Sequence, residues 1–288
     1  MNHIRIATVL PQAYRWKEEQ KNIPIAEEYI DKAAEAGARV VCFPEGFPGP
    51  YYDDADWSPF DAISARAKKN KIYVVYGQTE PAADGSKAWH IVQKVVNSQG
   101  ELLDTYKRIQ PTPEGVNKVL TGDKPIAPGD RLVNFEVDGV KIGIMICSEI
   151  FCPELARWNA LEGVEVLFAP TGAMLYELRE AWRNVIWTRA IENLLYVATC
   201  QQIFGMEDGL GVLAGPEKIL VERKEPGLVV GDCDIDRIHW LRDRDESLEL
   251  PKPYKVVPGL LRYRRPQIYG KLVDPSVSHY DFNGYKKS

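Results

Sequence analysis

Histidine is scarce in this chain: four in 288 residues, at His3, His90, His239 and His279. They lie far apart, so they form no metal-ligand spacing and offer no evident base for a Cys/His dyad. Cysteine is almost as rare, with five residues at irregular intervals. An odd, irregular set argues against a disulfide framework and suits a reducing, cytoplasmic setting. No apolar run approaches the roughly 18 residues of a membrane span. There is no excess of basic charge: the net charge is −5, which points away from nucleic acid and anionic membranes as partners. Met1-Asn2-His3-Ile4-Arg5-Ile6 enters a strand pattern at once and lacks the shape of a signal peptide.

What remains is the composition of a soluble globular protein, 45% hydrophobic and 27% charged, long enough for a sizeable core. The pattern alternates strands and helices. Ile4–Leu10 and Val40–Phe43 read as strands around an amphipathic helix at Pro24–Ala36, whose apolar positions are Ile25, Tyr29, Ile30 and Ala33. Asp61–Asn70 reads as a helix and Ile72–Tyr76 as a strand. Ile91–Asn97 and Leu102–Tyr106 flank the hairpin signal Ser98-Gln99-Gly100. The second half repeats the plan: strands at Lys141–Cys147, Val164–Phe168 and Leu195–Cys200, helices at Pro153–Glu162 and Ala181–Asn193, and a late strand at Leu228–Asp234. Ile4–Val9 resembles Ile142–Ile146, and Ala38–Pro44 resembles Val164–Pro170. The repeat predicts an α/β fold of two similar sheets packed face to face with helices outside.

From Glu249 the texture changes. Pro251, Pro253, Pro258, Pro266 and Pro275 interrupt a basic stretch that also holds Tyr254, Tyr263 and Tyr269. Aromatics of this kind usually bury. Residues 1–248 are therefore read as one domain and 249–288 as an extension packed on its own or a partner subunit.

Three strand ends carry groups that could work together. Cys147 ends Lys141–Cys147, Glu45 follows Val40-Val41-Cys42-Phe43-Pro44, and Tyr106-Lys107-Arg108 ends the hairpin. Open α/β sheets place chemistry outside the carboxyl ends of their strands. A thiol used as a nucleophile must lose its proton, and without histidine a carboxylate can take it. A cation beside them can hold the oxyanion formed on an attacked carbonyl. Cys42, Cys152, Cys200 and Cys233 are read as structural. Tyr51, Tyr52 and Trp57 are candidates for a pocket wall or for core. Asp53-Asp54-Ala55-Asp56 reads as a solvated loop rather than a cation site.

Over roughly residues 1–240 the chain resembles the nitrilase superfamily, the carbon–nitrogen hydrolases. The resemblance rests on Pro44-Glu45-Gly46, the cationic segment before Pro111-Thr112, Ile146-Cys147 with Pro153-Glu154, Leu161–Leu167, Arg189-Ala190-Ile191-Glu192-Asn193 and Gly215-Pro216. It implies a four-layer αββα sandwich with internal pseudo-symmetry, no cofactor, no metal, and a homodimer or higher homo-oligomer. It implies Glu45 as general base and acid, Cys147 as nucleophile, and Glu114 as a further carboxylate near the site. The lysine fits less directly, because alignment through Pro111-Thr112 puts Arg108 in its slot. Adjacent strand residues face opposite ways, so Lys107 reaches the site only through a bulge. The cation is assigned to Lys107, with Arg108 as its rival. Ser148 stands where relatives carry an aromatic, whereas Glu149 matches the nitrile-hydrolysing pattern. The expected activity is hydrolysis of a small amide or N-carbamoyl compound through a cysteine thioester. The alternatives are a nitrilase and a catalytically inactive binding member.

Overall fold

The computed structural model describes residues 2–51, 56–113, 124–172, 176–205, 208–242, 261, 264–277 and 281. Two six-stranded mixed sheets form its centre. The first has the order β12-β1-β2-β3-β4-β5, built from β1 (His3–Leu10), β2 (Val40–Cys42), β3 (Tyr73–Pro81), β4 (Trp89–Val96), β5 (Leu102–Lys107) and β12 (Gly227–Asp234). The second has the order β11-β10-β9-β8-β7-β6, built from β6 (Asn134–Val137), β7 (Val140–Ile144), β8 (Val166–Thr171), β9 (Tyr196–Gln201), β10 (Gly211–Ala214) and β11 (Ile219–Arg223). In the first sheet β1, β2 and β3 run parallel, as do β7, β8 and β9 in the second. An antiparallel strand flanks each trio on either side. The two sheets thus repeat one plan, as the similarity of Ile4–Val9 to Ile142–Ile146 predicted.

The sheets meet face to face. The Thr8 hydroxyl of β1 donates to the Thr199 carbonyl of β9 at 3.1 Å, and the Cys200 thiol lies 3.6 Å from the Cys42 carbonyl. Helices cover the outer faces. In α1 (Asn22–Glu35) the buried residues are Asn22, Ala26, Ile30 and Ala33, a helical stripe. With Ile63 and Ala67 of α2 (Phe60–Asn70) they pack on Val41, Val74, Tyr76 and Val96 of the first sheet. On the second sheet, α3 (Pro153–Leu161) buries Leu155, Ala156 and Ala160, and α4 (Arg179–Asn193) buries Trp182, Ile186 and Ala190. The result is the expected αββα arrangement, closed by α5 (Ile235–Arg242).

Beside the nucleophile, two strands depart from the sequence reading. β7 stops at Ile144, and Cys147 opens a short 3₁₀ turn, Cys147–Phe151, instead of ending the strand. β8 runs on through Pro170 to Thr171. Proline is tolerated there because β7 has already ended: its pairing with β8 reaches only Phe168, leaving one side of Pro170 without a ladder partner. Of the C-terminal extension, residues 264–277 lie over α3. There Arg264, Pro266, Gln267, Tyr269, Gly270, Leu272 and Val273 form one side of an open cleft of about 750 Å³, with Arg157, Trp158 and Leu161 opposite. Among the described residues no helix is long and apolar enough to cross a membrane.

Candidate active site

The carboxyl ends of β2, β5, β7, β8 and β9 converge on one buried centre. Glu45 comes from the turn after β2. Pro44 stops the strand, and Gly46 continues at φ +70°, which L side chains rarely adopt. A Cβ on Gly46 would also fall 2.5 Å from the Tyr51 ring. That ring belongs there: the Tyr51 hydroxyl donates to Glu45 Oε1 at 3.2 Å. The other oxygen, Oε2, accepts from the Gly172 N–H at 3.0 Å, just beyond β8. A side chain at residue 172 would crowd that carboxylate, its Cβ meeting Oε2 at 3.0 Å. The Glu45 carbonyl is held in turn by the Gln202 amide at 2.6 Å, at the end of β9.

The cation beside Glu45 is Arg108. Its Nη1 donates to Glu45 Oε1 at 2.9 Å, and both side chains are 1% exposed. Nη2 donates to Ser148 Oγ at 2.6 Å and Nε to the Gln110 carbonyl at 3.2 Å. Burial pulls the guanidinium pKa down, but the charges of Glu45, Cys147 and Glu149 outweigh it and the net shift is upward. Removing two charges from water is costly, and such a pair holds only when further hydrogen bonds satisfy both ions. Here Tyr51, Gly172, Ser148 and the Gln110 carbonyl supply them.

Lys107 does not reach this centre. It lies opposite Val92 in the β4–β5 pairing, on the outer face of the sheet. Its charge bears on His90, whose imidazole is lowered first by burial and then by Lys107. The strand does contain a register shift, but it falls between Leu102 and Asp104. From there the alternation is regular, so Tyr106 and Arg108 point inward and Lys107 outward. The structure thus places Arg108, the rival of Lys107 for the cation, beside Glu45, and Lys107 away from it.

Cys147 sits between these groups at φ +56°. A non-glycine residue held there stores on the order of 1–3 kcal/mol and persists only when its surroundings fix it. Burial raises the thiol pKa well above its usual value, and the Glu45 charge adds to that, while Arg108 opposes it. The Gly172 N–H, bonded to Glu45 Oε2, acts on the thiol in the opposite sense to the carboxylate and lowers its pKa. Ser148, next in sequence, is half-buried and occupied by Arg108. Glu149 is fully buried; burial pushes its carboxyl pKa up, against the pull of Arg108 and of its hydrogen-bond donors. Glu114, Tyr52, Asp53 and Asp54 lie outside the described residues. Among the described residues no group of three or more His, Cys, Asp or Glu side chains could hold a metal.

Tyr51, Gly172 and Gln202 come to Glu45 from three separate segments. The sequence offered a signal only for Tyr51, in the aromatic cluster after the Glu45 turn.

The description of the carbon-nitrogen hydrolase family matches residues 5–238 of this chain. The chain belongs to that family. An omega-amidase of Danio rerio is 32% identical over 69% of this chain and 74% of that protein. An omega-amidase of Homo sapiens is 29% identical over 85% of this chain and 93% of that protein. A nitrilase-superfamily amidase of Nesterenkonia AN1 superposes with a TM-score of 0.68 at 25% identity, covering 84% of this chain and 95% of that one. Another structure of that amidase carries the acetamide moiety of fluoroacetamide joined covalently to its active-site cysteine; its TM-score is also 0.68, at 25% identity over 85% and 95% of the chains. The fold is the nitrilase-type sandwich, and the protein is a carbon–nitrogen hydrolase.

Proposed function

We propose that Cys147, Glu45 and Arg108 hydrolyse the terminal carboxamide of a small aliphatic compound. The observation that carries this reading is one buried cluster: Cys147, 6% exposed, lies within the field of the Glu45 carboxylate, which is itself bonded to Arg108 at 2.9 Å. The carboxamide is favoured by the omega-amidase relatives and by the small amide fragment on the cysteine of the structural neighbour.

The chemistry follows from the contacts. Cys147 Sγ attacks the carbonyl carbon as its proton passes to Glu45. The raised thiol pKa means that this transfer accompanies attack instead of preceding it. The oxyanion is met by Arg108. Each Nη carries two N–H groups, and Glu45 and Ser148 engage one apiece. We assign the second pair to the developing charge. Arginine stays cationic throughout, so unlike lysine it cannot exchange a proton with the base. Glu45 then protonates the departing ammonia, leaving a thioester. Glu45 takes a proton from a water molecule that attacks the thioester; the C–S bond breaks, the carboxylic acid is released, and Glu45 returns the proton to the Cys147 sulfur. No step in this sequence calls for a cofactor.

The Cys147-Ser148-Glu149 match to nitrile hydrolases carries little weight for substrate. Both Glu149 oxygens are engaged by protein donors, which leaves neither to meet a substrate. We also propose that the protein is a homodimer or larger and works in the reducing cytoplasm.

Product analysis tests the substrate. Ammonia and acid should appear from a terminal aliphatic amide, and the matching nitrile and N-carbamoyl compound should be turned over far more slowly. Faster turnover of the nitrile would replace this reading with the nitrilase one.

A further inference from the structure

We propose that Glu149 is the positioning residue of this active site: its carboxylate is a clamp that fixes Arg108 against Cys147. The inference rests on the catalytic reading above and extends it to a residue that touches neither substrate nor the reacting atoms.

The Glu149 carboxylate is 0% exposed and accepts four hydrogen bonds. Oε1 takes the backbone N–H groups of Ile109 at 2.7 Å and Gln110 at 2.8 Å. Oε2 takes the Ile146 N–H at 2.6 Å and the Tyr106 hydroxyl at 2.7 Å. A carboxylate has about four acceptor sites, so both oxygens are filled. Three of the four donors are backbone N–H groups, which cannot turn round to accept. A protonated Glu149 would therefore oppose donor to donor, and the ionised form is the one that fits.

The donors fall on two segments. Tyr106, Ile109 and Gln110 bracket Arg108, while Ile146 and Glu149 itself bracket Cys147. The Glu149 N–H also returns a bond to the Ile146 carbonyl at 3.1 Å, closing a ring around the strained Cys147 turn. One side chain thus sets the spacing between the end of β5 and the nucleophile turn, segments about forty residues apart in sequence. The Gln110 carbonyl receives Arg108 Nε, so the clamp also orients the guanidinium through Gln110. Glutamine keeps the shape of glutamate but has one acceptor oxygen, so two of the four donors would face an NH₂ group. Aspartate keeps the charge but loses the reach.

The test is a double-mutant cycle. kcat and KM are measured for Glu149→Gln, Glu149→Asp and Tyr106→Phe, each in wild type and in Arg108→Gln, with folding followed by circular dichroism. Misplacing a catalytic group by about 1 Å can slow turnover on the order of 100-fold. Both Glu149 variants should show a kcat loss of that order with KM little changed, and Tyr106→Phe, which removes one donor of four, a smaller one. In the Arg108→Gln background each of these losses should shrink to within about twofold, because the group being positioned is gone. Losses that multiply in full, or a rise in KM at unchanged kcat, would make Glu149 a fold residue only. If the Glu149 variants do not fold, Tyr106→Phe, uncharged and nearly isosteric, decides by the same cycle. Failure of the underlying reading is separate: it would appear as turnover surviving Cys147→Ala, whatever the cycle gives.

Discussion

At the residue scale, the role proposed for Arg108 joins the chemistry and the stability of the centre in one side chain. Arg108→Ala should lower kcat/KM on the order of 2.7–4 kcal/mol, the range for losing an oxyanion donor. It should also lower unfolding stability by about 3–5 kcal/mol, because Glu45 is left buried and unpaired. Lys107→Ala should leave kcat/KM near wild type, since Lys107 lies on the outer face of β5. Turnover of both variants on one amide, with chemical denaturation of each, checks this; a larger loss in Lys107→Ala would return the role to lysine. The thiol makes its own prediction. Burial and the Glu45 charge raise the Cys147 pKa, so the free enzyme should hold a thiol at neutral pH. The ultraviolet thiolate absorbance, taken as wild type minus Cys147→Ala, should show no step near neutrality. A step near pH 7 would mean a preformed thiolate of the kind that a histidine partner produces.

The reading of this region from sequence shows where one-dimensional information stops. Glu45 and Cys147 were legible because proline and a buried apolar run mark the strand ends that carry them. The choice between Lys107 and Arg108 was not, because it turns on which face of β5 each residue takes. That is set by where the register shift falls, opposite Val95 and Val96, and no residue at 106–108 reports it. Glu149 was legible only as a family trait. Its role appears once folding brings Ile109 and Gln110 against a turn some forty residues later.

At the scale of elements, the nucleophile turn is held from outside by α4. Arg189, 8% exposed, donates from Nε to the Ile150 carbonyl at 2.8 Å and pairs through Nη1 with Glu192 at 2.7 Å. Arg189→Met keeps most of the stem but removes both bonds. It should lower stability by about 1.5–3 kcal/mol, the range for a hydrogen bond to a charged group. The denaturation midpoint checks this, and an unchanged midpoint would mean that α4 does not brace the turn. The helices and parallel strands were clear in sequence, since their apolar stripes and runs are long. β6, β10 and β11 were missed: each has four or five residues, and β11 is nowhere fully buried, so no run or alternation marks it. β8 was cut short at Pro170 because the early end of its neighbour β7 lies outside local sequence.

At the scale of the whole molecule, the repeat of one sheet plan was visible from two pairs of similar strands. What the extension does was not. In the single chain residues 264–277 lie over α3 yet leave Ile268 60%, Leu272 63% and Val273 81% exposed, beside Trp158 at 41% and Leu161 at 48%. Apolar side chains grouped in this way mark an association surface. Light scattering should give at least a dimer at micromolar concentration, and Leu272→Asp should weaken it; a monomer throughout would contradict that expectation.

The account depends most on Cys147 as the atom that bonds to substrate. The direct measurement is peptide mass spectrometry of the enzyme quenched by acid during turnover of a terminal amide. The acyl group should be found on the peptide holding Cys147 and be absent from Cys147→Ala. An acyl group on Cys42, Cys152, Cys200 or Cys233, or turnover that persists in Cys147→Ala, would contradict the account.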